Sequence, residues 1–139
     1  MTMTRSHRLI LAALFAVLAA AGGCEETTLA GDGVSVPSGR DLRLIEIISN
    51  VPGPEGATAR FRFLAPGLNE ADIATTADDM QALCDSFALG RIKDMVPQPQ
   101  QIIISLASAE VPFGEAAPDA VQFFEAFSVD TGTCVLAPF

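Results

Sequence analysis

A short basic segment followed by an unbroken apolar run constrains this chain more than any other feature of its sequence. Arg5, His7 and Arg8 precede 13 consecutive apolar residues, from Leu9 to Ala21. A helix that spans a bilayer needs about 20 apolar residues, so the run is too short for an ordinary membrane anchor. A basic start, a short apolar core and small residues behind it are typical of a secretory signal peptide. The pattern predicts that residues 1–23 direct export.

The residues behind the apolar run resemble the lipobox of bacterial lipoproteins, in which a cysteine becomes the lipidated first residue of the mature chain. The segment is Ala21-Gly22-Gly23-Cys24, and Ala21 stands where lipoproteins more often have leucine or another branched residue. Lipid on Cys24 would hold the protein at a membrane. The alternative is ordinary cleavage after Ala21, which would leave Cys24 as the third residue of the mature chain.

A polar segment, residues 24–39, precedes the first predicted strand. It has no hydrophobic period and contains Gly31, Gly33, Pro37 and Gly39. Such a composition is typical of a linker. We therefore expect residues 24–39 to form a tether and residues 40–139 to form a single domain, because roughly 100 residues is the size of one domain.

The charge balance and the histidine count exclude several classes of function. The chain has 8 basic and 17 acidic residues, and loss of Arg5 and Arg8 with the signal peptide would change its net charge from −9 to −11. A protein this acidic is not expected to bind nucleic acid or anionic lipid headgroups. Cleavage would also remove His7, the only histidine. No Ser-His-Asp triad, Cys-His pair or histidine-ligated zinc site could then form.

Cys84 and Cys134 are the two cysteines that remain if Cys24 carries lipid. Paired thiols tend to form disulfides in an oxidising compartment. The chain-entropy model assigns about 4 kcal/mol of stabilisation to a disulfide across a loop of this length. A redox-active pair is the alternative, but thioredoxin-type sites need a CxxC spacing, which the sequence lacks. We predict a structural disulfide between Cys84 and Cys134.

Hydrophobic periodicity predicts a hairpin, then a helix, then further strands. Residues 41–49 and 58–63 have strand patterns around a turn-rich segment, and folding them about Gly53 places Glu46 opposite Arg60. Apolar residues recur at helical spacing over residues 76–89, with Gly90 at the expected end, and an earlier helical turn at residues 69–73 is also compatible with the sequence.

The C-terminal part of the chain predicts three more strands. The β-branched run 102–106 predicts a buried strand, whereas residues 119–127 fit either a helix or a strand. A turn around Asp130 indicates a closing hairpin whose last strand carries Cys134. We expect an α+β fold, a mainly antiparallel sheet of about five strands with one helix on one face, and a disulfide that joins the helix to the last strand.

The segment Val129-Asp130-Thr131-Gly132-Thr133 resembles the aspartic-protease signature, in which two such loops bring two carboxylates together. Only seven residues follow Gly132, too few for the rest of a protease fold. Asp-x-Gly is also a common hairpin turn in which glycine takes a positive φ. The segment is therefore predicted to be a turn, and Asp130 is the first candidate only if the chain is a hydrolase.

The remaining charged residues predict no site. Residues 70–94 contain six acids and two bases, but their spacing does not match an EF-hand, so a solvated helix face is expected. Arg60 and Arg62 lie on the same side of one strand and could bind an anion, although the excess of acids favours ion pairs. Neither a P-loop nor a GxGxxG is present. The sequence therefore predicts no catalytic residues, no metal and no cofactor.

Five short segments of the chain together resemble a family of small exported alphaproteobacterial proteins of unknown function. They are Val36-Pro37-Ser38-Gly39, Phe61-Arg62-Phe63, Asp79-Met80 with Leu83-Cys84, Ile103-Ile104-Ser105-Leu106 and Gln122-Phe123-Phe124-Glu125. The resemblance covers most of residues 36–139 and implies no activity. Some members carry a name that suggests acetolactate synthase, a reaction whose thiamine-diphosphate enzyme is many times this size.

These features predict a non-enzymatic, exported module of the cell envelope. It would be held in the periplasm by lipid on Cys24 and would contact an unknown envelope protein or a small ligand, and not nucleic acid. The alternatives are a small exported hydrolase that uses acidic residues, with Asp130 as the first candidate, and a thiol-redox helper that uses Cys84 and Cys134.

Overall fold

The computed structural model describes residues 33–53 and 56–138. The predicted signal peptide, Cys24 and residues 24–32 of the predicted tether lie outside the described residues. Five strands are present, β1 (Arg43–Gly53), β2 (Gly56–Leu64), β3 (Gln101–Ala107), β4 (Gln122–Ser128) and β5 (Val135–Leu136). One helical segment, called the long helix below, joins β2 to β3. It consists of a 3-10 turn (Glu70–Asp72), helix α1 (Ile73–Leu83), a π-helical stretch (Cys84–Ala88) and helix α2 (Leu89–Ile92).

The five strands form one mixed sheet in the order β1-β2-β3-β4-β5. Strands β2 and β3 are parallel, and the other three pairs are antiparallel. A parallel pair needs a long crossover connection, which the long helix supplies. The predicted α+β fold, a mainly antiparallel sheet of about five strands with one helix on one face, is confirmed.

The core lies between the long helix and one face of the sheet. Alternate residues of β2 and β3 point into it, and Phe61, Phe63 and Ile104 are fully buried there. Both phenylalanine rings meet the ring of Phe87 edge-on, with centroids 6.2 and 5.4 Å away. Burial of a side chain of this size contributes about 1.5–3 kcal/mol, so this face is the main source of stability.

The long helix begins earlier and ends later than its apolar spacing predicts. Asn69 accepts a hydrogen bond from the Ala71 N–H at 2.9 Å, and the Asp72 carboxylate accepts one from the Asn69 N–H at 3.2 Å. This capping box starts the 3-10 turn, so the start predicted at residue 76 is wrong and the earlier turn is the true beginning. The end predicted at Gly90 is also wrong. Glycine opposes a helix by only about 1 kcal/mol, which burial of Ile92 outweighs.

The hairpin of β1 and β2 has a different register from the predicted one. Glu46 lies opposite Arg62 and not opposite Arg60. Residues 53 and 56 are the last pair before the turn, and β1 has register shifts between Leu44 and Glu46 and between Ile48 and Val51. The later turn alone would place Glu46 opposite Phe63, and the extra β1 residue between Ile48 and Val51 moves it back by one, to Arg62.

Residues 119–127, which the sequence leaves open between helix and strand, contribute to strand β4, which pairs antiparallel with β3. Strand β5 has only two residues, and Cys134 directly precedes it, so the prediction that Cys134 lies on the last strand is wrong by one residue. The described end of the predicted tether packs on the domain, because Val36 is 6% exposed and belongs to the core cluster. The domain therefore includes residues before position 40.

Candidate functional site

The side of the sheet away from the long helix is the candidate functional site. Among the described residues no helix covers it, and we call it the helix-free face. Arg60 and Arg62 of β2 point to this side, because their neighbours Phe61 and Phe63 point to the helix. In register beside Arg60 lie Ile48 of β1 and Ile103 of β3, followed by Ala126 of β4.

Arg62 has its charge compensated within the domain. Its guanidinium donates hydrogen bonds to the Glu46 carboxylate and to the backbone carbonyl oxygen of Val111. The residue is 6% exposed, so these two acceptors replace water around most of the side chain. The expectation that arginines of this strand pair with acids therefore holds for Arg62, which has a structural role.

Arg60 has no such acceptor. Within residues 33–53 and 56–138, no carboxylate comes within ion-pair distance of its guanidinium. Its contact is the ring of Phe113, whose centroid lies 5.4 Å from Cζ of Arg60 and 5.7 Å from Cζ of Arg62. Partial burial, together with the charge of Arg62, lowers the pKa of Arg60 below its ordinary value. The helix-free face thus holds one positive charge without an acidic partner.

A tight turn presents Phe113 to both arginines. The Glu115 N–H donates a hydrogen bond to the Pro112 carbonyl oxygen at 3.1 Å, and Gly114 between them has φ +83°. A positive φ at that position is what a type II turn requires, and glycine adopts it without strain. The ring of Phe113 remains 51% exposed. Sequence reasoning missed this residue, although an aromatic residue between proline and glycine was a signal that could have found it.

The disulfide lies on the opposite side of the sheet, within the core. Cys84 and Cys134 are bonded, with their Cα atoms 6.1 Å apart, which is the pairing predicted from the cysteine count. The bond joins the π-helical stretch of the long helix to the residue before β5. Cys84 is 0% and Cys134 is 9% exposed, so an attacking thiolate would have little access to either sulfur. This burial favours a structural role over a redox role.

A buried polar cluster attaches the N-terminal segment to the long helix. The backbone N–H and the hydroxyl of Ser38 donate to the two carboxylate oxygens of Asp79, at 3.0 and 2.6 Å. The guanidinium of Arg40 lies between this carboxylate and that of Asp72, with N–O distances of 3.7 and 3.2 Å. The Asp79 side chain is fully buried. Both Asp79 oxygens have a donor and Arg40 donates to Asp72, whereas Arg40 Nε is within ion-pair distance of Asp79 but has no hydrogen-bond acceptor. The groups compensate one another's charge, which indicates a structural cluster.

Asp130 lies in the turn that its sequence predicts. Gly132 has φ +76°, and its N–H donates to the Val129 carbonyl oxygen at 3.0 Å. The exposed Asp130 carboxylate accepts a hydrogen bond from the hydroxyl of Ser128 at 3.0 Å. A cavity of about 560 Å³ lies beside it, and its lining among the described residues offers no second acid. Aspartic-protease chemistry needs two carboxylates that share a proton.

The acids of residues 70–94 do not converge on one point. Asp72 and Asp79 face Arg40, whereas Asp78 and Asp85 are exposed on the helix. No three histidine, cysteine, aspartate or glutamate side chains in the described ranges are placed to hold a metal ion.

The fold and these clusters define a class, a small disulfide-linked α+β domain with one helix-covered and one helix-free sheet face. The chain belongs to a family of unknown function, DUF6497, whose model matches residues 13–139. No curated protein and no solved structure matches the chain. In the part of the chain that the structure covers, none of the helices has the length and apolar character that a membrane span requires.

Proposed function

We propose that this protein is an exported, non-enzymatic binding module of the cell envelope, held at a membrane in the periplasm by lipid on Cys24. The observation that carries the binding role is the helix-free face, where a partly buried Arg60, without an acidic partner among residues 33–53 and 56–138, lies against the half-exposed ring of Phe113. Arginine and aromatic residues are enriched at the centres of protein interfaces. An unmatched arginine is unexpected in a chain with 17 acids and 8 bases unless a partner supplies the acid.

Export and anchoring are supported by the N-terminal sequence and by the disulfide. A basic segment, a 13-residue apolar run and a lipobox-like Cys24 are the elements of a lipoprotein signal. A buried disulfide fits an oxidising compartment such as the periplasm.

The packing of Val34 and Val36 on the core would set how far the domain stands from the membrane. Val36 belongs to the core cluster and Val34 packs against it, so the chain is held by the domain from residue 34 onwards. The 10 residues from Cys24 to Val34 could span at most about 36 Å. The module would therefore recognise partners close to the membrane that carries it.

Site-specific photo-crosslinking in the native envelope tests the binding role. A benzophenone amino acid replaces Phe113 on the helix-free face or, as the matched control, Ile73 on the long helix, which is 64% exposed. We expect one discrete crosslinked species from position 113 and none from position 73. The same species from both positions, or no species from position 113, would contradict the proposal.

A further inference from the structure

We propose that Arg60 binds a carboxylate, and that this carboxylate is an acidic side chain flanked by apolar residues on a partner protein. The inference rests on the proposed function, because it names the chemistry that the helix-free face would recognise.

The hydrogen-bonding donors of Arg60 are unused. A guanidinium has five N–H donors in one plane, and no acceptor within residues 33–53 and 56–138 receives a hydrogen bond from this one. Phe113 contacts the guanidinium through the face of its ring. An arginine held by an aromatic ring in this way can still offer the edge of its plane to both oxygens of a carboxylate. The geometry therefore suits one bidentate acceptor.

The electrostatic surroundings favour a single negative charge over a polyanion. The charge of Arg62 is already balanced by Glu46, so Arg60 provides one uncompensated positive charge. The chain as a whole is strongly acidic, with a net charge of −9, and would repel a nucleic acid or another dense polyanion. One carboxylate would neutralise Arg60 without adding excess negative charge.

The apolar neighbours of Arg60 indicate what surrounds that carboxylate. Ile48 and Ile103 flank Arg60 in register and are partly exposed, and Phe113 is 51% exposed beside them. Arg60 is not among the described residues that line the cavities of about 380, 390 and 560 Å³. Small ligands prefer concave pockets, whereas an arginine surrounded by partly exposed apolar side chains is typical of a protein interface.

Binding of two short blocked peptides to the mature protein, purified from membranes in detergent, tests this inference. The probes are acetyl-Val-Glu-Val-amide and acetyl-Val-Gln-Val-amide, which differ only in the charge of one side chain. NMR titration should show saturable shifts of Arg60 and Phe113 with the glutamate peptide. The glutamine peptide should bind roughly tenfold more weakly, because it loses a charge-assisted hydrogen bond.

Three variants and one control locate the effect. Arg60→Gln should weaken binding of the glutamate peptide roughly tenfold and leave the glutamine peptide unaffected. Arg60→Lys should give an intermediate loss, since lysine keeps the charge but not the planar fork. Phe113→Ala, which changes no charge, should also weaken binding of the glutamate peptide. It provides the test of the site if Arg60→Gln fails to fold. Arg43→Gln removes an exposed arginine already paired with Glu110 and should change nothing.

The outcomes separate this inference from the proposed function. Equal affinity for both peptides would overturn carboxylate recognition, and tighter binding of hexanoate than of the glutamate peptide would overturn the protein partner in favour of a small amphiphile. If the crosslink from position 113 survives Arg60→Gln, the inference fails and the binding face stands. If the protein that keeps Arg60 and carries the crosslinker at position 113 gives no crosslinked species, the proposed function itself fails.

Discussion

The carboxylate of Asp79, in the middle of the long helix, accepts hydrogen bonds from both the backbone N–H and the hydroxyl of Ser38, which lies 41 residues earlier in the chain. The contact fixes the segment before β1 against the helix. It also brings Arg40 to within 3.7 Å of the same carboxylate. A buried charge is tolerated here because each of its oxygens has a donor.

Replacement of Asp79 by alanine should lower the free energy of unfolding by about 3 kcal/mol. The change leaves the Ser38 N–H without its acceptor and Arg40 without one of its two acidic neighbours, and removal of one partner from a buried charged cluster is strongly destabilising. Urea unfolding of the mature protein measures the effect. The adjacent Asp78→Ala, at an exposed position of the same helix, should change stability by no more than about 0.5 kcal/mol. Equal losses in both variants would contradict the structural role of Asp79.

The two ion pairs of Arg62 and Arg43 should contribute very differently to stability. Glu46→Gln leaves the 6% exposed Arg62 without its carboxylate and should cost about 1–3 kcal/mol. Glu110→Gln breaks the exposed pair with Arg43 and should cost less than about 1 kcal/mol. Thermal unfolding at low and high salt compares the two variants. If Glu46→Gln loses less stability than Glu110→Gln, the structural role of the Arg62–Glu46 pair is contradicted.

Removal of the disulfide by the double change Cys84→Ala and Cys134→Ala should destabilise the domain by about 4 kcal/mol. The bond closes a loop with a sequence separation of 50 residues, and its loss returns that conformational entropy to the unfolded chain. Denaturant unfolding of the variant and of the reduced wild-type protein should agree. A reduced wild-type protein as stable as the oxidised one would rule out the structural role of the bond.

Glu125 should make stability depend on pH in the mildly acidic range. Burial, with a smaller contribution from Asp78, raises the pKa of Glu125, so the folded state favours its protonated form. The contribution of protonated Glu125 to the stability of the folded state is fully present below the unfolded pKa of about 4.3, and it is lost as pH rises through the folded pKa. Glu125→Gln should therefore be more stable than wild type at neutral pH, by less than about 1 kcal/mol, and the difference should vanish in acid.

Unfolding curves between pH 3 and pH 8 measure this difference. Asp78→Asn removes only the smaller cause and should keep most of the pH dependence of the wild-type protein. If Asp78→Asn abolishes the dependence as fully as Glu125→Gln does, then charge repulsion and not burial is the main cause.

The sequence predicts the features of this fold that depend on local pattern. Alternation around Phe61 and Phe63 predicts β2, and the isoleucine run predicts β3, because period-2 burial needs only the residues of one strand. The three cysteines predict the disulfide if Cys24 carries lipid, since Cys84 and Cys134 then allow only one pairing. The resemblance of short segments to a family of unknown function agrees with the family model that matches residues 13–139.

Features for which the local pattern is ambiguous, or which depend on distant contacts, escape prediction. The start of the long helix is set by the capping box of Asn69 and Asp72, which precedes the helical spacing of apolar residues that predicts a start at residue 76. The partner of Glu46 depends on the position of the turn and on the register shift between Ile48 and Val51, which leaves no clear sequence signal. The contact of Phe113 with Arg60 requires the loop after β3 to fold back over the sheet, which only the tertiary structure reveals.

The mass of the intact mature protein, isolated from native membranes, tests export, anchoring and the disulfide together. It is measured before and after reduction, with a thiol label present at each step. We expect a diacyl or triacyl adduct on Cys24 and no label on Cys84 or Cys134 until the protein is reduced. An unlipidated chain cut near Ala21, or cysteines that take the label without reduction, would contradict the account of a tethered, disulfide-linked envelope module.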